Sequence, residues 1–300
     1  MKKFFFMAGL ILLAACSNES GNVVNNAQME EATAPVTVRV DGFSVSQEDL
    51  SITRATQTVG DYTDVKALTL AFYNGETETY KQTQVRGSLG QGETFGVFST
   101  TLPLGSYKMV VIARGGSDGD VFTLTSPTEA AYTSDHSRET FAYVETVNIT
   151  NTNAQELSAT LNRIVAKLEV NSTDGRTANV EKVRMTFSAG AKAFNPTTGL
   201  ATVNTGFANT VSATVSAVGS VSRSASYVFL ASDEQNIDVT IETLDADGNT
   251  VFSKTVANVP FKRNRLTTMR GAMYSAGASS AANSFLINTD WLDADDPVNF

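Results

Sequence analysis

Residues 237–256 read IDVTIETLDADGNTVFSKTV. Ile237, Val239 and Ile241 alternate with Asp238, Thr240 and Glu242, and Asp247-Gly248 then turns the chain into a second run that begins at Thr250. Alternation with a period of two places every second side chain on one face of an extended strand. An Asp-Gly pair between two such runs is a strong hairpin signal. The same grammar extends through the chain. Val36, Val38 and Val40 alternate with Thr37, Arg39 and Asp41. Leu68, Leu70 and Phe72 alternate with Thr69, Ala71 and Tyr73 ahead of an Asn74-Gly75 turn. Tyr107, Met109, Val111 and Ala113 form another strand, closed by Gly115-Gly116, and residues 144–149 form one more. Ile164, Ala166, Leu168 and Val170 open a strong strand, and Val183, Met185 and Phe187 repeat the pattern. Phe285, Ile287, Thr289 and Trp291 make the last alternation. No capped stripe with a 3.6-residue period stands out in the first half. Residues 126–140 have room for a short helical turn at most, and residues 197–221 read as a long connection or weak edge strands.

Many short strands with turn signals predict an all-β fold. A length of 300 residues suits two domains at about 150 residues each. The polar, turn-rich stretch 150–156 marks the predicted boundary, with one β-sandwich over 36–152 and a second over 153–300. Composition narrows the function. Net charge is -9, which opposes a grip on nucleic acid. One His and one Cys leave little for zinc sites, histidine catalysis or a disulfide framework. No cofactor, metal or enzyme activity is expected.

The start of the chain carries its own signal. Lys2 and Lys3 precede an apolar run from Phe4 to Leu13, followed by Ala14-Ala15-Cys16. A charged n-region, a short h-region and small residues describe an export signal over residues 1–15. The run is too short for a mature span, which needs about 20 residues. Leu13-Ala14-Ala15-Cys16 resembles the bacterial lipobox, which makes Cys16 the lipidated first residue of the mature protein. Residues 16–35 are polar and aperiodic, the composition of a flexible tether.

Other candidates have plainer readings. Asp245, Asp247, Gly248 and Asn249 superficially suggest a calcium loop, but Lys254 stands where the loop requires Glu, so a hairpin turn fits better. His136 lies in a polar stretch and reads as a surface residue. Asp293, Asp295 and Asp296 read as a solvated acidic end. Lys262-Arg263-Asn264-Arg265 reads as a turn between two late strands. Trp291 suits either a core position or a plug for an apolar groove. Arg54, in Thr53-Arg54-Ala55, is a loop arginine and so an accessible site for an Arg-specific protease.

Four features together resemble the fimbrillins of Bacteroidales type V pili. They are the lipobox at Cys16, Thr53-Arg54-Ala55, residues 161–168 (LNRIVAKL), and residues 259–265 (VPFKRNR) with Gly271 after them. The resemblance spans the chain diffusely. It implies two transthyretin-like β-sandwich domains in tandem and a cell-surface, adhesive, fimbrial role. It also implies export to the outer membrane as a lipoprotein, cleavage after Arg54 by an Arg-specific protease, and loss of the strand bearing Val36, Val38 and Val40. A C-terminal strand of a neighbouring subunit would then fill the groove. Phe285, Ile287 and Trp291 are the donor candidates, and other fimbrial subunits are the partners. Two alternatives stay open: an anchor subunit that keeps its lipid and first strand, and a surface glycan-binding lipoprotein. The second would want exposed aromatic platforms. There is one Trp, and the eight Tyr form no recognisable platform.

Overall fold

A computed structural model of the chain describes residues 31–45, 55–116, 122–133, 137–275 and 285–288. Contacts divide the chain into Met1–Glu31 and Ala32–Phe300, and every described strand belongs to the second unit. The described secondary structure is all β. The first ten strands are β1 (Thr33–Val45), β2 (Ala55–Thr58), β3 (Val65–Asn74), β4 (Thr77–Val85), β5 (Val97–Pro103), β6 (Gly105–Gly115), β7 (Phe122–Ser126), β8 (Glu129–Tyr132), β9 (Thr140–Ile149) and β10 (Gln155–Arg163). The other ten are β11 (Ala166–Ser172), β12 (Lys182–Phe187), β13 (Ala193–Asn195), β14 (Leu200–Ala201), β15 (Phe207–Ser212), β16 (Arg223–Val228), β17 (Glu234–Leu244), β18 (Thr250–Lys262), β19 (Leu266–Gly271) and β20 (Leu286–Asn288).

The hairpin of residues 237–256 forms as the alternation predicts, with β17 and β18 paired antiparallel around a turn in which Gly248 takes φ 87°. Its inward residues Ile237, Val239 and Ile241 meet Leu168, Val170, Val183, Met185 and Phe187 in one apolar core. The sheet β16-β11-β19-β20 packs over the sheet β15-β12-β17-β18 around that core.

A second core lies within the eight-stranded sheet β2-β1-β10-β9-β6-β3-β4, in which β5 also pairs with β1. β10 meets β9 only at Asn162↔Ala142 and Arg163↔Phe141, so the sheet folds over at that corner. One layer (β5, β2, β1, β10) thereby covers the other (β9, β6, β3, β4), and Val36, Val38, Leu68, Leu70, Met109, Val111 and Phe141 fill the space between. Burying such side chains is the main favourable term in this fold, at about 1.5–3 kcal/mol each.

A boundary at 152/153 would place β10 in the C-terminal half, yet its hydrogen bonds place it in the first sheet. The alternation over 163–170 also hides a break. β10 stops at Arg163, Ile164 and Val165 are both buried, and β11 starts at Ala166 in a different sheet. Residues 126–132 hold a hairpin rather than a helical turn, since β7 and β8 pair there. β8 then pairs with β13, so a small sheet β14-β13-β8-β7 draws strands from both parts of the chain. Phe194 stacks on Phe229 there at 4.3 Å, over Ala71, Tyr73, Val110 and Ile112. Burial and nearby Glu78 and Glu76 push the Tyr73 phenol up to about 12.

Candidate functional site: the first strand and its groove

β1 is held along both edges. On one side it runs parallel to β10, from Val36↔Gln155 to Ser44↔Asn162. On the other it pairs antiparallel first with β5, from Thr33↔Pro103 to Arg39↔Val97, and then with β2, from Gly42↔Thr58 to Val45↔Ala55. The exchange of partners occurs where the register shifts between Val40 and Gly42. There the Val40 N–H donates to the Gly96 carbonyl at 2.8 Å, and the Gly96 N–H donates to Gln84 Oε1 at 2.8 Å. Gly96 sits at φ 89°, and a Cβ there would lie 3.0 Å from Val59 Cγ1, so this seat needs glycine.

The extra residue at the bulge changes which parity faces inward. Ala34, Val36, Val38 and Val40 point into the core, and beyond the bulge Phe43 does so, opposite Leu161. The Phe43 ring lies 4.8 Å from Phe141 and 5.5 Å from Tyr62, and the Tyr62 and Phe141 rings meet edge to face at 5.6 Å. Polar groups fix this cage from behind. The Tyr62 hydroxyl donates to Glu139 Oε1 at 2.8 Å and accepts from Arg163 Nη2 at 3.0 Å. Arg163 Nη2 lies 2.7 Å from Glu139 Oε1, with both side chains buried. Its other arm donates to Asn264 Oδ1 at 3.0 Å, and its guanidinium lies 5.0 Å from the Phe141 ring centroid. Burial, with the Glu139 charge adding to it, pushes the Tyr62 phenol well above its ordinary value, and burial does the same to Tyr227. Burial lowers the Lys167 ammonium. The outer face of β1 contributes little, since the Arg39–Glu156 pair at 3.7 Å is exposed.

Val36, Val38 and Val40 thus share one buried face of one strand. Ala55 starts β2, directly opposite Val45. Phe285 precedes β20 and Ile287 lies within it, in a sheet of the second core, where β20 pairs antiparallel with β19 through Arg270↔Leu286, Met269↔Ile287 and Thr268↔Asn288. Phe285 is buried over Gly271, where a Cβ would stand 2.9 Å from its Cδ1; that contact accounts for glycine at this position. Leu286 remains 72% exposed and Ile287 39%.

Cys16, Arg54, His136, Trp291, Asp293, Asp295 and Asp296 lie outside the described residues. Residues 245–249 form the β17–β18 turn, in which the Asp245 carboxylate accepts from the Asn249 N–H and Nδ2. Residues 263–265 form the β18–β19 turn, with Arg263 paired to Asp233 at 2.7 Å, and Lys262 at the end of β18 pairs with Glu234 at 3.0 Å. Among the described residues no group of His, Cys, Asp and Glu is placed to hold a metal ion. Sequence reasoning missed Phe43, Tyr62, Glu139 and Arg163. Phe43 is out of phase with Val36–Val40, and the only available signal was a Gly42 beside it.

The chain belongs to a family of unknown function, DUF6562, whose model matches residues 26–295. No curated protein matches it. Among solved structures it is similar to a candidate adhesin from Bacteroides ovatus (13% identity, TM-score 0.48), with 90% of this chain and 99% of that one covered. It is also similar to the tip fimbrial protein Mfa3 from Porphyromonas gingivalis with C-terminal truncation (14% identity, TM-score 0.38; 87% and 100% covered). A fimbrial assembly protein from Parabacteroides distasonis gives 14% identity and TM-score 0.39, with 86% and 96% covered.

Proposed function

We propose that this member of DUF6562 is a structural subunit of a cell-surface fimbria, built from two transthyretin-like sandwiches in tandem. In this reading residues 1–15 export the chain, lipidated Cys16 holds it at the outer membrane, and an Arg-specific protease hydrolyses the Arg54–Ala55 bond. The cut separates β1 from everything after it.

The placement of β1 carries the reading. It is the first strand of the unit, it lies ahead of Arg54 in the chain, and it fills a slot between β10 on one side and β5 and β2 on the other. Its departure would bare Leu161, Phe141 and their neighbours, together with unpaired N–H and C=O groups along both walls. A strand from another subunit is the fitting replacement, because it restores both backbone ladders and the apolar face. A head-to-tail contact of that kind does not close on itself and so extends into a filament. The exposed, three-residue β20 fits a segment lightly held on its own sheet and available to a neighbour.

The deciding measurement is the N-terminus and mass of the protein on its native cell surface. A chain starting at Ala55 without lipid supports the polymerising subunit. A chain starting at lipidated Cys16 makes it an anchor that retains β1, and Arg54 is then an ordinary loop residue.

A further inference from the structure

The register of the slot and the aromatic cage at its end describe the strand that fits there. Resting on the polymerising-subunit reading, we propose that the slot selects an incoming strand bearing an aromatic side chain at the Phe43 position, and that Trp291 of a second copy supplies it.

Two observations carry this. The first is the cage. Phe141 and Tyr62 surround one ring, and Tyr62 is tied to Glu139 and Arg163. Arg163 in turn reaches Asn264 on the β18–β19 turn. Phe141 comes from β9, Arg163 from β10, Tyr62 from the segment before β3, Glu139 from the residue before β9 and Asn264 from the β18–β19 turn, all C-terminal to Arg54, so they stay when β1 leaves. A small aliphatic side chain in that seat would leave a void against two aromatic rings.

The second is spacing. The inward residues of β1 stand opposite Gln155, Leu157, Ala159 and Leu161, every second residue of β10, although β1 spends an extra residue at its bulge to reach the last of them. An unbulged strand entering in the direction of β1 needs inward side chains at i, i+2, i+4 and i+6. Phe285, Ile287, Thr289 and Trp291 have that spacing. With Phe285 opposite Gln155, Ile287 takes the place of Val38, Thr289 that of the similarly shaped Val40, and Trp291 that of Phe43. The C-terminal segment gains by moving: β20 pairs over three residues along one edge, whereas β1 pairs along both edges over most of 13.

The test uses the full chain with a sequence-specific protease site in place of residues 50–54, nicked while folded. The N-terminal fragment is then displaced by synthetic peptides, and its release is followed by size exclusion and mass. The peptides span residues 283–300 as wild type, Trp291→Phe or Trp291→Ala, and residues 33–45 as wild type or Phe43→Ala. The expected result is that both wild-type peptides bind. Trp291→Phe should bind within about tenfold of wild type, and Trp291→Ala and Phe43→Ala at least about a hundredfold more weakly. Equal binding of Trp291→Ala and wild type overturns the aromatic selection while leaving strand exchange standing. Binding of 33–45 but not of 283–300 overturns the assignment to the second copy's C-terminus. Failure of 33–45 itself to exchange removes both this inference and the polymerisation reading beneath it.

Discussion

Replacing Phe43 with Ala in the intact chain tests whether β1 is an integral part of the first core. Phe43 is fully buried, in ring contact with Phe141 and Tyr62, and faces Leu161 across the parallel ladder. Truncation removes a whole ring from a site whose walls cannot easily close. Phe141 is fixed within β9 by pairing to both β6 and β10, and Tyr62 is held by Glu139 and Arg163. Buried Phe→Ala changes cost about 3–5 kcal/mol, and limited collapse puts this one in the upper part of that range. With a urea m-value of about 2 kcal/mol/M, the unfolding midpoint should fall by about 2 M, and m itself should stay constant. Circular dichroism in a urea titration reads both. Leu286→Ala, at a side chain 72% exposed, is the control and should stay within about 0.5 kcal/mol of wild type. A Phe43→Ala loss below about 1 kcal/mol would refute the reasoning, because it would mean that the cage is not packed around this ring.

Buried phenols, a bonded carboxylate and a tight glycine contact give further tests. The neutral phenols of Tyr62 and Tyr227 are favoured by folding, chiefly through burial. Their contribution is complete below the unfolded value near pH 10 and is lost as pH rises beyond it, so thermal melts from pH 8 to 11.5 should be flat and then fall steeply, and less steeply in Tyr62→Phe. At the acid end, burial of Asp174 alone would raise its carboxyl, but the backbone N–H groups of Met273, Tyr274 and Ser275 outweigh it and hold the group below its ordinary range. That stabilisation is present above about pH 4 and fades as pH drops through the folded value; Asp174→Ala should cost about 1–3 kcal/mol at pH 7 and flatten the acid limb of the melting curve. Gly271→Ala drives a methyl into Phe285 and should raise hydrogen exchange at residues 286–288 without unfolding the second core. Unchanged protection there would count against the contact.

The strands were largely legible because their physics is local. Ile237–Glu242 and the Asp247-Gly248 turn form the hairpin they spell, and Val36, Val38 and Val40 share the face their alternation requires. What misled was continuity of pattern. Ile164 and Val165 read as part of one strand, because alternation records which side chains are apolar and is blind to a chain that crosses from one sheet to another with both buried. Phe43 escaped for a related reason: a one-residue bulge inverts parity, and parity is all that a period-two reading sees.

The all-β class and the hairpin can be read from the sequence alone because they depend on residues close together in the chain, and the acidic balance because it is a sum over the whole composition. Packing between distant segments sets β1 between β10 and β5 with β2, brings Phe43 into a cage of Tyr62 and Phe141, and lets Arg163 tie that cage to Asn264. These partners lie up to about a hundred residues or more away in sequence, as Arg163 and Asn264 do, and which of the many compatible strands and side chains meet is settled by global packing rather than by any local preference.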